Sequence, residues 1–239
     1  MNRVWNGAAF QREIAAILKP ERSPVTVTFL DAPPADTQKF EGSEPSGCSF
    51  WRWAAQGSTF YTVAQNHFNC AVGAYTHHIT LSPDREKETA QTLQMMFDLG
   101  YVKPEEVPQI PRLAKPPVAI LYAPLAECKT QPDVVLLALK PAEAMLLQEA
   151  ARRAGVRSGA PVMGRPTCMA LPASLEHGAI VSLGCIGNRV YTGLGENEMY
   201  VVLPGKDVAD VLEALKTIEN ANRALADYAK GRRELLATL

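Results

Sequence analysis

Four of the five cysteines fall into two pairs with similar surroundings. In each pair, the first cysteine precedes a helix-like segment, a glycine and an apolar run, and the second cysteine follows that run, ahead of a Tyr-Thr dipeptide. The pairs are Cys48 with Cys70, 22 residues apart, and Cys168 with Cys185, 17 residues apart. The shared order predicts an internal repeat whose two thiol pairs converge on one site.

Four thiolates are the usual donor set of an iron–sulfur cluster, because iron in these clusters prefers tetrahedral sulfur coordination. We therefore predict a 4Fe–4S cluster on Cys48, Cys70, Cys168 and Cys185. His67, three residues before Cys70, could complete or replace one ligand, as imidazole does in some clusters, or be a hydrogen-bonding surface residue. Such a protein would serve electron transfer, sensing or an accessory redox role.

Two other interpretations of the same cysteines stay open. Zinc could be held by the same four side chains. Metal-free, buried structural thiols are also compatible with the pattern, because cysteine is among the residue types most often buried. Cys48 and Cys168 begin helix-like segments, where backbone amides favour thiolate over thiol. Cys128 lies outside both units and is expected to be an incidental thiol.

Composition and charge restrict the class of protein. With 47% hydrophobic and 21% charged residues, the chain is an ordinary globular sequence with a substantial core. A net charge of −1 gives no electrostatic case for nucleic acid or an anionic membrane. The first residues run into an amphipathic pattern without an apolar signal region, so we expect a cytoplasmic protein. Cytoplasmic thiols stay reduced, and disulfides therefore do not explain five cysteines.

Periodicity and capping residues predict the elements that would position the cysteines. Helices are expected over Phe10–Leu18, from Ser82 to Gly100, over Pro141–Gly155, and from Asp207 to Tyr228 or beyond. Strands are expected over Pro24–Leu30, Thr59–Val63, Pro117–Tyr122, Asp133–Leu139, Ala179–Leu183 and Met199–Leu203. Because strands and helices alternate only partly, the pattern predicts an α+β or α/β fold: a mixed sheet with flanking helices and two pseudo-repeated halves.

The domain organisation predicted from the sequence is one domain over residues 1–239. Its halves, 1–103 and 117–239, are joined by the proline-rich segment 104–116. The Pro- and Gly-containing loop Asp31–Ser46 is long, and long loops in compact domains are often functional. A second hypothesis is therefore a metal-free small-molecule-binding or enzymatic domain, with this loop and Arg165 lining a pocket. Expected partners are a redox protein or a small molecule, with no nucleic acid and no membrane, and homo-oligomers are left open.

Five motifs together resemble those of the domain-of-unknown-function family 169, which is widespread in archaea and in anaerobic or facultative bacteria. They are Cys48, His67–Gly73, Gly164–Cys168, Gly184–Arg189 and Glu198–Tyr200. The resemblance covers nearly the whole chain, from the first helix to the last. It implies a cytoplasmic prokaryotic protein whose cysteines match the cysteine motifs of the family, and it implies no particular reaction.

Overall fold

A computed structural model of the chain describes residues 4–162 and 166–237. Six strands form one sheet in the order β2-β3-β1-β4-β6-β5, and the ladders between them are antiparallel. The strands are β1 (Val25–Leu30), β2 (Phe60–Thr62), β3 (Ala119–Pro124), β4 (Val134–Leu139), β5 (Ile180–Ser182) and β6 (Met199–Pro204). The predicted α+β class, with a sheet and flanking helices, is confirmed.

Helices cover both faces of this sheet. They are α1 (Gly7–Ile17), α2 (Ser49–Ala55), α3 (Ala71–Thr76), α4 (Pro83–Asp98), α5 (Pro141–Arg153), α6 (Ala170–His177), α7 (Ile186–Thr192) and α8 (Val208–Ala237). The four long helices lie where the sequence predicts them, whereas α3 occupies a segment predicted as a turn and α7 was not predicted. None of the helices in the described ranges has both the length and the apolar composition needed to cross a membrane.

The central strand β4 explains why the sheet needs covering on both sides. All six of its residues are buried. Successive side chains point to opposite faces, so Val134 and Leu136 join one apolar cluster, while Val135 and Leu137 join another. An uninterrupted apolar run is the expected sequence of a strand buried on both faces.

The two faces of the sheet are covered differently. On the first, which we call the helical face, α1, α5 and α8 supply the packing side chains. The second, which we call the cysteine face, is covered by α2 and α6 and contains Cys48 and Cys168 within its apolar cluster. Residues of both cysteine units therefore pack against the same face of the sheet.

The strand order bears on the predicted halves without testing them. The central positions belong to β1 and β4, and the edges belong to β2 and β5, which follow α2 and α6 respectively. The strand β3, which comes after the proline-rich segment 104–116, pairs with both β1 and β2. Strands from both sides of that segment therefore share one sheet, and the internal repeat stays a prediction.

Candidate functional site

The cysteines of the two units lie at the cysteine face. Cys48 and Cys168 are buried, whereas Cys70 and Cys185 are half-buried. Ser46 Oγ lies 2.9 Å from Cys48 Sγ and 3.9 Å from Cys70 Sγ.

Cys128 is placed apart from these four thiols. Its Sγ donates to the carbonyl of Thr130 at 3.0 Å, and its pKa responds to Thr26 and Thr130 but to no other cysteine. Cys128 is buried, but it contributes to neither cysteine unit.

Packing between helices brings the two units together. Helix α2 of the first unit contacts α7 of the second, and α3 contacts the 3₁₀ turn Thr167–Met169. The amide of Cys185 donates to Thr167 Oγ1 at 2.6 Å, which ties the second thiol of its unit to the residue beside the first. The first segment of each unit therefore meets the second segment of the other.

Two thiols have a local structural role. Cys70 is the N-cap of α3 and accepts a hydrogen bond from the amide of Gly73 at 3.3 Å. Cys185 is the N-cap of α7 and accepts one from the amide of Asn188 at 3.4 Å. Sulfur is a weak acceptor and replaces here the oxygen of the usual Ser, Asp or Asn cap.

The prediction of an iron–sulfur cluster on Cys48, Cys70, Cys168 and Cys185 is wrong. Within residues 4–162 and 166–237, no group of three or more His, Cys, Asp or Glu side chains could hold a metal ion. The same finding gives no support to His67 as a replacement ligand or to a structural zinc site on these residues. Sequence spacing indicated related segments, but it could not show that two of the sulfurs point to the amides of their own helices.

The expectation that Cys48 and Cys168 favour the thiolate is also wrong. Burial raises the pKa of Cys48 to about 11, and the neighbouring thiols of Cys70 and Cys185 add to the rise. Burial raises the pKa of Cys168 well above its usual value, with Cys70 adding to it. Desolvation therefore raises the pKa of these thiols more than the backbone amides at the helix starts lower it. Cys48 also makes no side-chain hydrogen bond as the N-cap of α2.

Two buried histidines adjoin the cysteines. His77 Nδ1 donates to the carbonyl of Gly73 at 2.6 Å, which leaves Nε2 as a lone-pair acceptor. His67 Nε2 pairs with Thr62 Oγ1 at 2.8 Å. His77 Nε2 and His67 Nδ1 are buried and have no hydrogen-bonding partner among the described residues.

The electrostatics of these rings keep both neutral. Burial lowers the pKa of His77 to about 4. It lowers the pKa of His67 well below the usual value, and the neighbouring His77, whose ring centroid is 5.6 Å away, lowers it further. At neutral pH neither imidazole carries a positive charge. His67 is buried, contrary to the surface position considered for it.

Tyr122 and Asn188 complete the buried polar set. The ring of Tyr122, on β3, contacts the rings of Phe50 and Phe60, and its hydroxyl has no hydrogen-bonding partner in the described part of the chain. Burial raises the pKa of Tyr122, and the thiols of Cys48, Cys168 and Cys70 add to the rise while Thr62 opposes it. Asn188 is fully buried, and neither amide atom meets hydrogen-bond geometry with a described residue.

We call this set the thiol–imidazole cluster. Its members are Ser46, Cys48, Thr62, His67, Cys70, Thr76, His77, Tyr122, Cys168, Cys185 and Asn188. Each of these side chains is uncharged in type, and the pKa shifts given above keep the buried thiols and imidazoles neutral. The half-buried Cys70 and Cys185 mark where the cluster reaches the surface.

The predicted pocket of loop Asp31–Ser46 and Arg165 is only partly described. Arg165 lies outside the described residues. The loop contributes Ser46 to the cluster, and Glu44 accepts a hydrogen bond from Trp53 Nε1 at 2.6 Å.

A cleft of about 200 Å³ lies elsewhere, at the ends of α5 and α6 and the start of α8. Ser174 Oγ in its wall is buried and has no partner among the described residues, while Arg157, Lys206, Asp207 and Asp210 give the wall charges of both signs. The cleft contains no thiol or imidazole. We place the candidate site at the thiol–imidazole cluster, where several unpaired polar groups meet.

Five residues of the cluster received no site role from the sequence: Thr62, Thr76, His77, Tyr122 and Asn188. Tyr122 ends a predicted strand, and a phenol in an otherwise apolar buried run was the one available signal for it. His77 is adjacent to His78, and neighbouring side chains of an extended segment point to opposite sides, so the pair is a poor chelator and gave no signal of a site. Asn188 was quoted within the motif Gly184–Arg189 without a role.

One comparison with known proteins gives a family, and none gives an activity. The family model described as "Uncharacterised ArCR", DUF169, matches residues 13–214. "Uncharacterized protein MJ0308" of Methanocaldococcus jannaschii is 29% identical over 165 residues, which cover 65% of this chain and 69% of that protein. No solved structure matches the chain. With most of its length matched by the family model, the chain belongs to the domain-of-unknown-function family 169.

Proposed function

We propose that this protein is a metal-free small-molecule-binding domain whose ligand is held by the thiol–imidazole cluster. The observation that carries the proposal is a group of buried polar atoms that meet hydrogen-bond geometry with no described residue: His67 Nδ1, His77 Nε2, Tyr122 Oη and the two amide atoms of Asn188. An unsatisfied buried donor or acceptor costs about 1–3 kcal/mol, and native proteins contain few of them. A ligand that pairs with these groups would recover that free energy.

The chemistry of the cluster selects a small, uncharged, polar ligand. Its buried thiols and imidazoles are neutral at neutral pH, so a charged ligand would be desolvated without a counter-charge from them. His77 Nε2 needs a donor from the ligand, because its Nδ1 carries the proton. Tyr122 and Asn188 can each donate and accept. Amides and hydroxylated compounds of metabolite size meet these requirements.

An enzymatic role is a second candidate, and one observation favours it. The Gly73 carbonyl holds the buried imidazole of His77 in one tautomer, so the Nε2 lone pair has the fixed direction that a general base requires. Its pKa of about 4 makes it a weak base. Thiolate chemistry at Cys48 and Cys168 is less favoured, since burial keeps both thiols protonated. If a bound compound is converted, His77→Gln should abolish the conversion, whereas His177→Gln should not. NMR spectra of the compound measure the conversion.

The metal-free part of the proposal is tested by elemental analysis. Protein purified without oxygen should contain iron and zinc well below one equivalent, measured by plasma mass spectrometry together with labile sulfide. Stoichiometric iron with sulfide, or stoichiometric zinc, would contradict the proposal.

Ligand binding is tested by a thermal-shift screen followed by calorimetry. The panel pairs neutral amides and polyols with carboxylate and amine analogues of matched size. We expect neutral members to raise the melting temperature. Tyr122→Phe and Asn188→Ala should each weaken binding about fivefold to tenfold, the effect of one lost hydrogen bond.

Ser174→Ala is the matched control, because Ser174 Oγ is also buried without a partner in the described part of the chain but lines the separate cleft. It should leave binding unchanged. Binding that is weakened by Ser174→Ala and insensitive to Tyr122→Phe would move the site to the cleft. A panel without any neutral binder would refute the proposal.

A further inference from the structure

The last helix continues far beyond the body of the protein. Helix α8 has 30 residues, and Val208, Val211, Leu212, Ala214 and Leu215 of its first half are buried on the helical face against α5. From residue 221 to residue 237, every position is exposed. These 17 residues extend about 25 Å at 1.5 Å per residue. Isolated helices of this length are marginal in water.

The exposed part of α8 carries an apolar stripe that continues from the core. The stripe begins at buried positions and advances in alternating steps of three and four residues: Val211, Ala214, Ile218, Ala221, Leu225, Tyr228, Arg232 and Leu235. Steps of this kind are the 3.5-residue repeat of a coiled coil. Leu225 is 67% and Tyr228 is 66% exposed, so the stripe is open to solvent beyond the core.

The flanks of the stripe suit a close helix partner. The positions beside it are uncharged and mostly small: Asn222, Ala224, Ala229, Gly231 and Leu236. The charged residues lie at outward positions of the same repeat: Glu219, Arg223, Asp227, Lys230, Arg233 and Glu234. Arg232 is the one charged residue within the stripe between positions 211 and 235.

Arg232 indicates both the partner and its direction. In a parallel pair of identical helices, Arg232 would face Arg232 of the second copy, and the two like charges would repel. In an antiparallel pair centred between Leu225 and Tyr228, Arg232 faces the small Ala221, Leu225 faces Tyr228, and Ile218 faces Leu235. In this orientation, large side chains of the stripe face smaller or complementary ones of the second copy, and no pair of facing residues carries like charges.

We infer that the exposed end of α8 is a self-association surface, on which two copies of this chain pair as an antiparallel two-helix coiled coil. The two bodies then lie at opposite ends of the paired helices, and each thiol–imidazole cluster remains on its own protomer. The inference does not depend on the proposed small-molecule site.

Light scattering coupled to size exclusion tests the association. We expect the wild-type protein to have a mass about twice the 26.0 kDa of the chain, decreasing on dilution. Leu225→Glu with Tyr228→Glu should give a monomer with an unchanged melting temperature at low concentration, since both side chains are exposed in one copy. Leu99→Glu is the matched control, because Leu99 is exposed at the end of α4, and it should remain dimeric. A wild-type monomer at millimolar concentration, or a double variant that stays dimeric, overturns the inference.

Cysteine cross-linking tests the direction of pairing. In the antiparallel pair, Ala221→Cys with Arg232→Cys should form disulfide-linked dimers under mild oxidation, beyond the level seen with wild-type protein. Ala221→Cys alone should not, because the two copies of residue 221 lie about 16 Å apart along the axis. Cross-linking by Ala221→Cys alone would show parallel pairing and overturn the antiparallel arrangement.

Discussion

Burial decides the chemistry of the individual residues at this site. Cys48 heads a helix, yet its pKa rises to about 11 because desolvation exceeds the stabilising effect of the helix start. The same environment keeps His77 neutral, with its pKa lowered to about 4. The cluster is therefore suited to donating and accepting hydrogen bonds rather than to binding ions.

Tyr122 and Tyr200 form a matched pair for testing the unpaired hydroxyl. Both are buried, but Tyr200 Oη donates to Thr192 Oγ1 at 3.4 Å, whereas Tyr122 Oη has no partner among the described residues. In ligand-free protein, Tyr122→Phe should leave the free energy of unfolding unchanged or raise it by up to about 1 kcal/mol. Tyr200→Phe should lower it by about 1 kcal/mol. Urea unfolding measures both, and a larger loss for Tyr122→Phe would contradict the assignment.

His77 should make stability depend on pH below neutrality. Its pKa is about 4 in the folded protein and 6.5 ordinarily, so between these values the unfolded chain binds more protons. Stability is therefore retained above pH 6.5 and falls as the pH falls toward 4. Between pH 7 and pH 5, His77 alone should lower the free energy of unfolding by about 2 kcal/mol.

Urea unfolding of the His77→Gln variant at both pH values measures this contribution. The variant should be less stable at pH 7, because it loses the bond to the Gly73 carbonyl, but its stability should change less between pH 7 and pH 5. His177→Gln is the control, since His177 is exposed at the end of α6, and it should keep the wild-type difference. Equal pH dependence in all three proteins would show that His77 is not desolvated.

At the scale of elements, local patterns predicted most of the fold. The strand predicted over Asp133–Leu139 is β4, and the one predicted over Pro24–Leu30 is β1. Both were predictable because short uninterrupted or alternating apolar runs are typical of strands. Ser82 with Pro83 correctly marked the start of α4. Helices α3 and α7 were missed, since each is short and is capped by a thiol rather than by an oxygen.

The candidate site was harder to predict than the elements. Spacing indicated which segments are related, but the direction of each side chain depends on long-range packing, such as α2 on α7. Cys70 and Cys185 were expected to meet at a metal, and both instead bond to amides of their own helices. Tyr122 lies in β3, outside both cysteine units, and Asn188 lies in the second unit. Both adjoin the thiols only in the folded chain, so no local pattern joins them to the site.

Gly7 shows how closely one element approaches another. It is the first residue of α1, and a Cβ there would lie 2.0 Å from the carbonyl oxygen of Leu125. Gly7→Ala must therefore displace α1 from the helical face and should destabilise the protein by roughly 1–3 kcal/mol. Gly187→Ala is the matched helical control, because its Cβ would meet only the Tyr191 ring at 3.7 Å. Thermal unfolding should show no loss for Gly187→Ala, and equal losses would contradict the close approach.

At the scale of the whole molecule, one sheet unites both cysteine units. Its central pair, β1 with β4, joins strands from either side of the proline-rich segment, and each face has its own apolar cluster. Neither cluster can be exposed without separating side chains that come from shared strands. The cysteine face and the helical face should therefore lose their structure together.

Tryptophans on the two faces allow this cooperativity to be measured. Trp5 packs against the cluster of the helical face, and Trp51 is buried on the cysteine face. In a protein with Trp51→Phe and Trp53→Phe, the fluorescence of Trp5 reports unfolding of the helical face. In a protein with Trp5→Phe, the remaining tryptophans report unfolding of the cysteine face. Within each variant, the urea midpoint from fluorescence should equal the midpoint from circular dichroism, because a two-state transition gives one midpoint for every probe. Comparing probes within a variant cancels any destabilisation by the substitution itself. Separate midpoints within one variant would instead indicate that the face containing the remaining tryptophan unfolds independently of the rest of the protein.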